Sequence, residues 1–420
     1  MRPDELYPPD RLAAAQRATA AAGLDALLLT PGSDLRYLTG YHAHALERLT
    51  CLVLPAAGPA TLIVPRLERP AAEASPAPGT GLRIVDHADG ADPYPLVLAA
   101  LRDAAGAGGG SAATDIGAAG GGPAATGAAA GGGPGATGAD PETGGRRAAG
   151  GAVPARAIGL GNRMWAEQVL ALRDVLPHTR WRLAGEVLRE LRIHKSPAEV
   201  AALRAAGAAI DAVHARMAEW LRPGRTEREV GTDIAAAIRE AGHATADFVI
   251  VASGPNAASP HHDTADRTIE PGDPVVVDIG GTMPSGYCSD STRTYALGEP
   301  PAEFRRYYAV LHAAQRAAVA AVRPGVRAEA VDAAARDAIT AAGYGDAFLH
   351  RTGHGIGLDG HEEPYVVAGN DRPLEPGMAF SIEPGIYLPG RHGARIEDIV
   401  VCAADGVERL NTLSTELVLL

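Results

Sequence analysis

Short apolar runs separated by turn residues open the chain. Leu24–Thr30 (LDALLLT), Cys51–Pro55 (CLVLP) and Thr61–Pro65 (TLIVP) read as buried strands, and Pro31-Gly32-Ser33-Asp34 punctuates the first. Helical spacing flanks them at about 9–22 and 92–104. The pattern then breaks. From Ala104 to Gly151, 34 of 48 residues are Gly or Ala, and Ile116 is the only large aliphatic. Such a stretch buries too little apolar area to offset its ordering entropy, so it reads as a disordered insertion in a surface loop. A strand at Arg156–Leu160, a helix around 163–175 and a strand near 180–184 complete a first α/β domain over 1–185.

The second domain, 186–420, opens on stronger signals. Ser196-Pro197-Ala198-Glu199 is a capping box with proline at the first helical position. Val200, Leu203, Ile210, Val213, Met217 and Trp220-Leu221 follow at helical spacing, with Pro223-Gly224 as the stop. Thr226 and Glu229 form a second capping box, and Gly242 ends that helix. A β-rich stretch runs from 246 to 297. Helices at about 301–322 and 327–342 then precede strands from 377 to 412. Two helices then strands, twice over, predict a duplicated α+β domain.

Composition narrows the function. The formal charge is -12 and no Lys/Arg run exceeds two residues, so nucleic acid is not an expected partner. Lys195 is the only lysine in an arginine-rich chain, a sign of codon bias. Cys51, Cys288 and Cys402 form no CxxC pair and fit a reducing compartment. The opening MRPDELYPPDRL lacks an apolar signal segment, and no run of about 18 apolar residues predicts a membrane span. The expected location is cytoplasmic.

Several strands carry acids where apolar residues belong. Asp278 follows three valines in Pro274–Gly281 (PVVVDIGG), placing a carboxylate at the end of a buried strand. Asp290 comes after a turn at Pro284-Ser285-Gly286, so a hairpin would set the two side by side. Glu383 in Ala379–Glu383 (AFSIE) and Glu397 in Ala394–Val400 (ARIEDIV) repeat the arrangement. His354 lies among glycines in Thr352–Gly357, where small neighbours admit an imidazole to a crowded centre, and His361 follows in GHEEP. Each has an ordinary reading alone: a turn-capping Asp, a salt-bridged edge Glu, a backbone-bonded or solvated His. Together, four carboxylates and an imidazole make a hard donor set suited to Mn²⁺, Co²⁺ or Zn²⁺. Two such ions about 3.5–4 Å apart would activate a bridging water for hydrolysis.

The motifs VVVDIGG, GYCSDSTRTY, HRTGHGIGLDGHEEP, FSIEPGIY and ARIEDIVV stand in this order over 186–420. In this the second domain resembles the Xaa-Pro aminopeptidase and prolidase branch of metallopeptidase family M24, whose catalytic domain has the pita-bread fold. GLDALLLTPGSDLRYLTGY at 23–41 resembles that branch's N-terminal domain. The resemblance implies two divalent ions, with Mn²⁺ the first choice, held by Asp278, Asp290, His354, Glu383 and Glu397. It makes Glu383 the proton shuttle as well, and His261 and His361 partners of the scissile carbonyl. Arg395 would pair with a substrate carboxylate or an inner carboxylate, Tyr387 would lie near the active site, and His262 would be only a neighbour in the loop. The Asp278–Asp290 hairpin is one residue longer than the commonest family form, an insertion placed at the turn tip. The implied activity is release of the N-terminal residue from a peptide with proline second, by an aminopeptidase P or a dipeptidase acting as a homodimer. Fold and metal also accommodate a small amide or amidine substrate, or a non-catalytic binding member.

Overall fold

A computed structural model describes residues 3–108 and 157–420. In the first part, apolar runs become strands β1 (Ala26–Leu29), β2 (Cys51–Pro55), β3 (Thr61–Pro65), β4 (Arg83–His87), β5 (Ala157–Leu160) and β6 (Arg180–Leu183). They form one sheet in the order β4-β3-β2-β1-β5-β6. β1, β2, β3 and β5 are buried throughout, as continuous apolar runs require of strands covered on both faces. The helix Tyr94–Gly108 runs five residues into the Gly/Ala-rich stretch, and the remainder of the expected insertion lies outside the described residues.

Both predicted capping boxes form. Ser196 accepts from the Glu199 amide and Thr226 from the Glu229 amide, while each glutamate returns a bond to its cap residue. The helix behind Ser196 ends at His214, well before Pro223-Gly224, and Trp220-Leu221 follow a separate short turn. The helices Pro197–His214 and Glu227–Glu240 precede β7 (Thr245–Ser253), β8 (Pro274–Thr282) and β9 (Cys288–Ala296). Ala302–Ala321 and Ala328–Ala341 precede β10 (Gly353–Gly355), β11 (Glu362–Val366), β12 (Ala379–Ile382), β13 (Gly385–Leu388), β14 (His392–Arg395), β15 (Asp398–Ala403) and β16 (Gly406–Arg409). The short strand β17 (Val418–Leu419) returns to pair with β9, giving a sheet β17-β9-β8-β7 beside the sheet β11-β10-β12-β15-β16. The duplicated plan is thus present, and the two sheets meet between β9 and the segment around Arg395–Glu397.

The β8–β9 register runs unbroken from Pro274↔Ala296 to Thr282↔Cys288, with the turn beyond it at the tip. Asp278 lies in the middle of β8 and not at its end, because pairing continues through Gly280 and Gly281. The tip docks on the first domain: Tyr7 donates to the Ser285 carbonyl at 2.9 Å and Arg36 to that of Pro284 at 2.8 Å.

Glycine matters most at β10. A Cβ on Gly353 would stand 1.9 Å from the Ser381 carbonyl oxygen, whereas one on Gly360 would meet nothing within 4 Å. Gly353→Ala should therefore cost about 1–3 kcal/mol, as overpacking against backbone does. Gly360→Ala should stay within about 0.5 kcal/mol, as a surface change does. Denaturant midpoints of the two variants check this; equal midpoints would contradict the tight β10–β12 approach.

Candidate metal centre

Four elements deliver the acids to one place. Asp278 points from β8, and Asp290, paired with Gly280 across the hairpin, points from β9 on the same face. Glu383 follows β12, its amide fixed by the Thr352 carbonyl at 2.7 Å. Glu397 bridges β14 and β15, its amide bonded to the Thr292 carbonyl at 3.0 Å. Arg395 and Glu397 are therefore not on one strand, since β14 ends at Arg395 and a new strand starts at Asp398.

Three overlapping groups result: Asp278, Asp290 and Glu397; His354, Glu383 and Glu397; Asp290, His354 and His361. Within each, the potential ligand atoms lie within 4.8 Å of one another, and among the described residues no other group does so. His354 Nε2 stands 3.2 Å from Glu383 and 3.7 Å from Asp290. Its Nδ1 faces the Gly355 carbonyl at 3.1 Å and must donate to it, which leaves a lone pair on Nε2. That lone pair looks straight at carboxylate oxygens. Asp278 Oδ1 and Glu397 Oε1 are buried with no hydrogen-bond partner. A cation between these groups would satisfy every one of these acceptors, so the residues present fit a metal centre.

Without a cation the charges resist one another. Burial, then Glu397, Asp278 and Glu383, push Asp290 well above the usual carboxylate range. Burial, then Glu383 and Asp278, do the same to Glu397. Glu383 is pushed up to about 7, mainly by burial, with Arg395 opposing. Burial, aided by His361, lowers His354 to about 3, keeping it neutral.

The centre forms the floor of a cavity of about 810 Å³ lined also by His261, His350, Arg351, His361 and Arg395. His261 and His361 are exposed in it, and the His361 ring stacks on His354 with centroids 3.7 Å apart. Arg395 takes the inner of its two expected partners: Nη2 bonds Asp278 at 2.6 Å, Nη1 the Tyr387 hydroxyl at 2.7 Å, and Nε Thr292 at 3.1 Å. It is only 2% exposed, and the inner carboxylate that the sequence offered as its partner is Asp278. Tyr387 lies beside it, near the centre. Its hydroxyl sits between Arg395 and His350 (2.9 Å), behind the cavity wall.

His262 is more than a loop neighbour, because Nε2 bonds the buried Glu227 at 2.8 Å and so anchors the loop that carries His261. Sequence reasoning passed over His350, Arg351 and Thr292, which donates to Glu397 at 2.8 Å. The first two stand inside the HRTGHG motif, four and three residues before His354, and that proximity was the available signal.

Comparison with known proteins agrees with this architecture. Residues 201–404 match the profile of metallopeptidase family M24, and residues 11–115 that of the creatinase/prolidase N-terminal domain. A probable dipeptidase PepE of Mycobacterium tuberculosis is 50% identical over 97% of this chain and 95% of its own length. An Xaa-Pro dipeptidase of Lactobacillus helveticus is 44% identical over 55% of this chain and 63% of its own length. The crystal structure of a prolidase from Thermococcus sibiricus superposes with a TM-score of 0.80 at 34% identity, covering 98% of both chains. With its pita-bread catalytic domain and creatinase-like N-terminal domain, the chain belongs to metallopeptidase family M24.

Proposed function

We propose that this protein is a dinuclear metallopeptidase that releases the N-terminal residue from Xaa-Pro substrates, dipeptides first among them. The observation that carries the reading is the buried convergence of Asp278, Asp290, His354, Glu383 and Glu397, with two carboxylate oxygens left without partners, at the floor of an open cavity. Four carboxylates against one guanidinium leave a deficit of three positive charges when His354 is neutral. Two divalent ions offset it, and the oxygen-rich donor set suits Mn²⁺, with Co²⁺ or Zn²⁺ able to replace it. Bound there, such ions supply Lewis acidity and lower the pKa of water to the neutral range.

The residues divide the remaining work. Glu383, whose Oε1 lies 3.2 Å from His354 Nε2 at the edge of the centre, can take a proton from the attacking water and pass it to the leaving imino nitrogen of proline. Ser381 fixes one of its oxygens at 3.1 Å. Arg351 bonds His361 Nδ1 at 3.1 Å, and a guanidinium cannot accept, so the neutral ring carries its proton on Nε2. His361 and His261 thus offer donors to the scissile carbonyl and to the negative charge that develops on it. Arg395 holds Asp278 in place. The names of the relatives support a dipeptide substrate. A domain division at 185/186, cytoplasmic residence and a homodimer belong to the same proposal; Cys51, Cys288 and Cys402 are all buried and free, which suits a reducing compartment. Among the described residues no helix is long and apolar enough to cross a membrane.

Mn²⁺-supplemented protein should cleave Ala-Pro faster than Ala-Pro-Ala, and Glu383→Gln should lose about 10²–10⁴-fold in kcat, the usual span for a general base. No turnover of either peptide by metal-loaded protein would contradict the proline reading.

Stability should report the same charges. Carboxyls raised in the folded state bind more protons there than when unfolded, so metal-free stability falls as pH rises through the folded pKa. Histidines lowered by burial, such as His354 and His350, act in the opposite sense only below about pH 6.5. Between about pH 6.5 and 7.5, around the folded value of Glu383, the metal-free melting temperature should therefore fall, and its rise on adding Mn²⁺ should grow. A metal-free melting temperature that climbs across this window would contradict the assignment.

A further inference from the structure

A dipeptide differs from a longer peptide in the carboxylate that closes its proline, and a site that selects dipeptides needs a cation to meet it. The cavity's own side chains settle which. Arg395 spends Nε, Nη1 and Nη2 on Thr292, Tyr387, the Pro260 carbonyl and Asp278. His350 uses both ring nitrogens, on the Arg351 carbonyl at 2.8 Å and the Tyr387 hydroxyl at 2.9 Å, and burial lowers it to about 4. His262 is engaged with Glu227. Arg351 is the remaining arginine that lines the cavity, and among the described residues it has no ion-pair partner.

Its placement is built. The guanidinium carbon lies 4.5 Å from the centre of the Tyr365 ring, and one nitrogen bonds His361. Tyr365 belongs to β11, which pairs with β10. The start of β11 is pinned from below, because the Glu362 carboxylate receives Lys195 at 2.6 Å and also Arg192, both nearly buried. Lys195, the only lysine of the chain, thus braces the strand on which Arg351 leans. An arginine placed over an aromatic face, with only one of its five N–H groups engaged by a side chain, is prepared for a bidentate bond to a carboxylate.

We propose that Arg351 binds the substrate's terminal carboxylate and is the residue that sets the preference for dipeptides. This rests on the reading of the site as an Xaa-Pro peptidase. It differs from the sequence expectation, which offered Arg395 either a substrate carboxylate or an inner carboxylate.

The test compares wild type, Arg351→Met and Arg351→Lys on Ala-Pro and on Ala-Pro amide, which lacks the charge. The wild-type ratio of kcat/KM for acid over amide should fall about 10- to 100-fold in Arg351→Met, chiefly through KM, as loss of a charged hydrogen bond does. Arg351→Lys, which keeps the charge without the fork, should restore part of the ratio and guards against a folding defect in the first variant. An unchanged ratio in both variants would overturn the proposal, because a residue acting only through His361 would slow both substrates alike. Wild-type protein that cleaves neither would overturn the peptidase reading together with it.

Discussion

Four carboxylates packed into one buried site repel each other, and the fold around them exists to hold that repulsion in place. Asp278, Asp290 and Glu397 are nearly inaccessible, yet among the described residues only Arg395 offers a full positive charge in contact. An arrangement of this kind is unfavourable by itself in a medium of low polarity. It becomes favourable when cations enter, which makes affinity for metal a property of the fold and not of any single side chain.

The two halves of the catalytic domain each bring one acidic pair, and backbone bonds join them. Thr292 accepts the Glu397 amide through its carbonyl while its hydroxyl donates to the same residue's carboxylate. Thr294 ties to the Arg395 backbone at 2.8 Å. Glycines at 353 and 355 let β10 press against its neighbours so that His354 reaches the centre. The first domain contributes at the edges, holding the tip of the hairpin that carries both aspartates and, through Arg192–Asp34 at 2.7 Å, the segment before His361. Rigid support of this kind is what keeps ligand atoms within reach of shared ions.

Much of this was legible in the chain. The capping boxes at Ser196 and Thr226, the repeated helix pair and the acids interrupting apolar runs are local signals, and local signals survive in one dimension. Hydrogen-bond partners do not. Both a substrate and an inner partner stayed open for Arg395 because the sequence around it says nothing of Asp278, 117 positions away, which claims it. The sequence places Tyr387 near the site but without a role, because its partners Arg395 and His350 are set by the sheet and not by its neighbours in sequence. Asp278 looked terminal on its strand because it closes a run of three valines, yet Gly280 and Gly281 remain in register with β9. Arg351 escaped notice because a lone arginine in an arginine-rich chain carries no signal until its neighbours are known to be paired.

The central claim is that the convergent acids hold two ions. Crystals of Mn²⁺-loaded protein, measured at the manganese absorption edge, test it most directly. The account predicts two anomalous peaks about 3.5–4 Å apart, enclosed by Asp278, Asp290, His354, Glu383 and Glu397. A single peak, or none among these residues, would contradict it.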